Sequence, residues 1–154
     1  MGVHTREGEL SCEDVQALLD FHFSAMRGNS PPDACHVLAA PSLIDAKSRF
    51  FSVRDEAGVL LGIGALKQLS PGHGELKSMR TATGALGLGV GGALLAHLIA
   101  AAREQGMHRL SLETGGSADF AAALRLYERE GFTPCGPFGG YPGSPFTRFF
   151  TREI

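Results

Sequence analysis

From residue 11 to residue 26, "SCEDVQALLDFHFSAM", apolar positions recur at helical spacing, and Val15, Leu18, Leu19, His22 and Met26 fall on one stripe. Ser11 and Asp14 stand ahead of it in capping-box spacing, and Gly28 predicts its end. Pro31 and Pro32 exclude regular helix from the stretch that follows. The pattern then changes to strand type. "RFFSVRD", "GVLLGIGALKQL" and "ELKSMRTA" predict three strands joined by turn residues at 55–58 and by "SPGHG", so residues 49–82 read as an antiparallel meander.

Helical spacing returns at Val90, Leu94, Leu95, Leu98 and Ile99, with Gly106 as the stop. "HRLSLET" predicts a strand in which Leu110 and Leu112 alternate with polar residues. "ADFAAALRLYEREGF" predicts a second late helix with Phe120, Ala123, Leu124 and Tyr127 on one face and Gly131 at its end. The tail "SPFTRFFTREI" is aromatic and extended. This order predicts an α/β fold: one mixed, mostly antiparallel sheet flanked by helices, with a late βαβ crossover. No repeat or linker interrupts it, and 154 residues suit a single domain, 1–154.

Composition removes several functions. A net charge of −2 without a Lys/Arg block argues against nucleic acid and anionic membranes as partners. The start "MGVHTREGEL" lacks a signal-peptide core, and the apolar run around 93–102 carries His97 and is too short to span a bilayer. A cytoplasmic location is therefore expected. Cys12, Cys35 and Cys135 are odd in number and widely spaced, which disfavours a disulfide framework. Cys35-His36 has no second Cys/His pair at zinc-site spacing, so no metal is expected.

The chemistry concentrates in "ATGALGLGVGGALL", residues 82–95, where five glycines run into the start of a helix. Such a turn holds an anion on unpaired N–H groups at the positive end of the helix. An ATP loop would need Gly-Lys-Ser/Thr, and here Ala93 follows Gly91-Gly92. Gly87, Gly89 and Gly92 do satisfy a dinucleotide fingerprint, with Glu113 where a ribose-binding acid belongs. Against this, a meander precedes the motif, and a doubly wound fold wants more βα units after it. Glycines that merely close a strand-to-helix turn are the third reading, and one or two would suffice for that.

"GVGGALLAHLI", "HRLSLET" and "LYEREGF", taken together, resemble the GNAT superfamily of acyl-CoA N-acyltransferases, whose late helix ends Leu-Tyr-x-x-x-Gly-Phe. Leu126, Tyr127, Gly131 and Phe132 match that ending, and Gly89 and Gly91 match the glycines of the family's Q/R-x-x-G-x-G/A turn. Leu86 stands where the family has Gln or Arg. "SPPDACH", "GALKQL", "GELKSMRTA", "CGPFGGY" and "SPFTRFF" extend the resemblance, in order, to a bacterial branch of mostly unassigned substrate.

The resemblance implies a GNAT-like fold and acetyl transfer from acetyl-CoA to a primary amine of a small molecule or peptide, without a metal. It implies that Leu86, Gly87, Leu88, Gly89, Val90, Gly91 and Gly92 cradle the diphosphate. Met79, Arg80 and Thr81 would meet the pantetheine arm on a strand that splays from its neighbour, with the Met79 N–H polarising the thioester oxygen. Phe120 replaces an asparagine that often contacts pantetheine.

Tyr127 would protonate the leaving thiolate. Glu75 would take the amine proton, and strand alternation would set Glu75, Lys77 and Met79 on one side. A packing tyrosine and a solvated carboxylate are the alternative readings of these two. The loop 29–36 and the segment 138–144, with Tyr141, are expected walls of the acceptor pocket, with His73 and Arg80 nearby. Leu86, Leu88 and Phe120 also fit a non-catalytic acyl-CoA-binding module, and a homodimer is kept open as a further partner.

Overall fold

The computed structural model describes residues 2–29, 47–115, 120–144 and 146–154. The elements are β1 (Val3–Glu7), α1 (Glu13–Asn29), β2 (Ser48–Asp55), β3 (Leu60–Ser70) and β4 (His73–Thr81). A short 3₁₀ turn at Thr83–Ala85 leads into α2 (Val90–Glu104), followed by β5 (Arg109–Gly115), α3 (Ala121–Arg129), β6 (Thr133–Cys135) and β7 (Thr147–Glu153). The strands form one sheet in the order β1-β2-β3-β4-β5-β7-β6. Only β4 and β5 are parallel, joined by α2 as the crossover. That topology is the mixed sheet expected, and it excludes the doubly wound dinucleotide fold.

Two apolar layers cover the sheet. On one face, Val15, Leu18, Leu19 and Phe23 of α1 pack against Phe50, Ile63 and Ala65. On the other, Leu94, Leu95 and Leu98 of α2 and Tyr127 of α3 pack against Leu66, Leu76, Leu110 and Leu112. Period-two alternation along β3 serves both layers, with Ile63 and Ala65 toward α1 and Leu66 toward α2.

Four details depart from the sequence expectations. β1 was not expected, because its polar pattern of His4, Thr5 and Arg6 carries no strand periodicity; charges suit a sheet edge, where β1 pairs antiparallel with β2. Cys12, rather than Ser11, caps α1: its carbonyl accepts the Gln16 N–H at 3.0 Å. Asp14 turns to Arg54 instead of back to Ser11. α1 continues through Gly28 to Asn29, and α3 is shorter than expected, although Gly131 still closes it at a φ of +89°. The expected loop wall 30–36, Cys35, and the side chain of Met26 lie outside the described residues.

Candidate active site

β4 and β5 pair from His73–Arg109 to Leu76–Leu112 and then part. Beyond that point β4 continues to Thr81 on β3, and β5 continues to Gly115 on β7. The parting opens a cavity of about 780 Å³ that runs through the sheet. Its α2/α3 side is walled by Met79, Thr81, the glycine turn, Phe120 and Tyr127; its α1 side by His22, Glu75, Lys77 and Arg80.

Simple alternation would put Glu75, Lys77 and Met79 on one side. The structure corrects this. Ser78 has a φ of +54°, and the β3–β4 register shifts between Ile63 and Ala65, so an extra residue sits in β4. Glu75 and Lys77 therefore face α1, while Met79 packs with the α2 layer, close over Gly64. Arg80 returns to the α1 face, where its Nε donates to His22 Nδ1 at 3.1 Å. Its side chain thus lies on the opposite face from Met79 and Thr81, with which it was expected to meet the pantetheine arm.

At the helix N-terminus, Gly87 and Gly89 have φ of +78° and +80°, in the left-handed region that disfavours side chains. The first helical bond is Ala93 N–H to Gly89 O, so the N–H groups of Val90, Gly91 and Gly92 precede it at the cavity wall. A Cβ at Gly91 would meet the Leu126 side chain at 3.1 Å, so a side chain of α3 reaches the first turn of α2. Leu86 and Leu88 are 64% and 54% exposed, and Leu88 lies off the cavity wall. A cradle of backbone N–H groups, with no carboxylate on it among the described residues, fits a diphosphate. Gly89→Val should destabilise the fold by about 1–2 kcal/mol through its backbone conformation alone, since no neighbour crowds that Cβ. A shift of the denaturant midpoint at constant slope measures it.

Tyr127 is buried at the parting, and its O–H donates to Met79 Sδ at 3.7 Å. A thioether is a weak acceptor, so the phenol proton is loosely committed. Burial pushes its pKa up to about 12, the positive charge of Arg80 opposing this. The phenol therefore stays protonated at neutral pH. Phe120 packs its ring onto Gly115, where no Cβ could fit, and forms the cavity wall next to it.

On the α1 face, the Glu75 carboxylate is 1% exposed. Lys77 Nζ donates to Oε2 at 3.0 Å, and Tyr141 Oη donates to Oε1 at 3.3 Å. Lys77 also donates to Tyr141 Oη. Tyr141 comes from the expected acceptor segment, and burial followed by the Glu75 charge raises its pKa. His73 instead bonds Ser111 Oγ at 2.7 Å, off the cavity wall. Glu75 is thus a buried ion-pair member rather than a solvated strand-start carboxylate.

Two residues at the site were missed as site residues. Lys77 was visible as an i, i+2 partner of Glu75. His22 looked like one more member of the α1 stripe; burial holds its pKa down at about 3, so it is a neutral acceptor for Arg80.

A sheet prised open between its two parallel strands, with a glycine-lined helix N-terminus on one side and a buried phenol at the opening, defines an acyl-CoA-dependent transferase site. The model of the acetyltransferase (GNAT) family matches residues 13–132, and the chain belongs to this family of N-acetyltransferases, which use an acyl-CoA as cosubstrate. It is 45% identical over 146 residues to the uncharacterized N-acetyltransferase YedL of Escherichia coli strain K12, covering 95% of this chain and 91% of that one. It is 40% identical over 152 residues to the uncharacterized N-acetyltransferase YsnE of Bacillus subtilis strain 168, covering 99% and 100%. Among solved structures, an acetyltransferase from Streptococcus agalactiae superposes with a TM-score of 0.75 at 18% identity, covering 100% and 99%, a likeness of fold. Among the described residues, no helix is long and apolar enough to cross a membrane.

Proposed function

We propose that this N-acetyltransferase moves an acetyl group directly from acetyl-CoA to a primary amine of a small molecule or peptide. The observation that carries the proposal is Tyr127: a buried phenol at the parting of β4 and β5, with only a thioether for a partner among the described residues. The N–H groups at the start of α2 hold the diphosphate, Gly87 and Gly89 supplying the turn. Met79, Thr81 and Phe120 flank the pantetheine arm, and the Met79 N–H meets the negative charge that develops on the thioester oxygen.

The amine arrives from the α1 face. A lysine-like ammonium has a pKa of about 10.4, so it must lose a proton before it can attack. Glu75 accepts that proton directly or through a water: each of its oxygens is used once, by Lys77 or by Tyr141, and each keeps a further acceptor site. The nitrogen lone pair then forms the C–N bond, the C–S bond breaks and Tyr127 gives its proton to the departing thiolate, while the second proton lost from the nitrogen as the amide forms restores the phenol. Screening amines for free-thiol release from acetyl-CoA tests this reaction.

Leu86 adds a separate test of the cradle. Because its side chain is exposed at the turn, Leu86→Arg should leave folding intact and tighten acetyl-CoA binding about tenfold through one charge-assisted contact. Calorimetric titration measures the affinity, and unchanged affinity in a folded variant removes the diphosphate from this end of α2.

A further inference from the structure

Arg80 is the unexplained charge in the cavity. Its Nε is committed to His22 Nδ1 at 3.1 Å, and its guanidinium carbon lies 5.7 Å from the centre of the Phe21 ring. These contacts fix the plane of the guanidinium and use neither terminal nitrogen. His22 is buried and neutral, so it contributes no negative charge. Among the described residues no carboxylate forms an ion pair with Arg80. Arg54, the other enclosed arginine on this face, is met by both Glu9 and Asp14. Glu75, which also lines the cavity, is balanced by Lys77. Among the described residues, one positive charge therefore faces the cavity without a carboxylate partner, presented as a fork on the acceptor side of the sheet.

A guanidinium held by its Nε and by a ring face, with both terminal nitrogens unpartnered among the described residues, is arranged for two parallel hydrogen bonds to a carboxylate. The position selects which molecule brings it. The diphosphate cradle lies on the α2 side of the sheet, whereas Arg80 points to the α1 side, one residue along the strand from Met79. We infer that the amine acceptor carries a carboxylate, and that Arg80 binds it while the amino group is presented beside Met79 to the acyl carbonyl. This rests on the acyl-transfer reading and narrows it to amino-acid-like acceptors. Phe21 is 49% exposed and would lie along the edge of such a substrate.

Matched amines test it: tryptophan with tryptamine, phenylalanine with phenethylamine, and 4-aminobutyrate with butylamine, each assayed by thiol release from acetyl-CoA. The melting temperature of the CoA-saturated protein with each compound gives a second readout. In at least one pair the carboxylate-bearing member should be preferred by about 10²-fold in kcat/KM, mostly through KM, and should alone stabilise the CoA complex. Arg80→Gln, which can still donate to His22, should collapse that ratio, and Arg80→Lys should restore part of it. Equal responses within all three pairs, or a preference that survives in Arg80→Gln, would overturn the inference. If acetyl-CoA binds and carboxylate-free amines are turned over as well as their partners, the acyl-transfer reading stands without it. If acetyl-CoA neither binds nor releases thiol, both fall.

Discussion

Tyr127→Phe should lower the rate of thiol release by roughly 10²–10³-fold while leaving acetyl-CoA affinity nearly unchanged. The substitution keeps the ring, which packs edge-on to Phe132 with centroids 5.9 Å apart, and removes only the hydroxyl. That hydroxyl donates to a thioether, so folding stability near neutral pH should change by less than about 1 kcal/mol. The raised pKa of about 12 fixes the pH behaviour. Wild-type turnover should show no descending limb from this group between pH 7 and 10, and the variant should be slower across the whole range.

Stability carries the complementary sign. A phenol whose folded pKa exceeds its ordinary value of about 10 contributes stability that is complete below pH 10 and lost as the pH rises through 12. Tyr127→Phe should remove that loss. A variant that turns over like wild type would reduce Tyr127 to packing.

The second large effect is in stability. Lys77→Met should destabilise the fold by about 3–5 kcal/mol, because Glu75 is left buried with a charge that Tyr141 alone cannot balance. Glu75→Gln/Lys77→Met should recover most of this loss, since a neutral amide needs only hydrogen bonds. The double variant should nevertheless be inactive at neutral pH, because the proposed acceptor of the amine proton is gone. Chemical denaturation of wild type, the single variant and the double variant measures the coupling. Equal instability of the single and double variants would mean that the pair does not act as a unit.

Most of the fold was legible because hydrophobic period reports burial. The stripe Val90, Leu94, Leu95, Leu98 and Ile99 is the face α2 buries, and Leu110 and Leu112 do bury on β5. β1 was illegible for the converse reason: an edge strand pairs through its backbone and can show polar side chains. The site divides similarly. The glycine turn and Tyr127 announced themselves through local motifs.

The Ser78 bulge did not, because one inserted residue leaves no compositional mark, yet it reverses the side from which Met79 and Arg80 act. Tyr141 and Glu75 meet across a sequence separation of 66 residues, through pairing that no local pattern encodes. His22 was hidden because it fits the apolar stripe around it. Its partner was visible only once α1 lay over β4.

Acetyl-CoA binding tests the central claim most directly, by the melting temperature with acetyl-CoA, NAD or ATP at millimolar concentration. Acetyl-CoA at about 100 times its dissociation constant adds about 2.7 kcal/mol, which for a domain of this size is a rise of roughly 5–10 °C. NAD and ATP should give no comparable rise. No shift with acetyl-CoA, or an equal shift with NAD, would contradict the account.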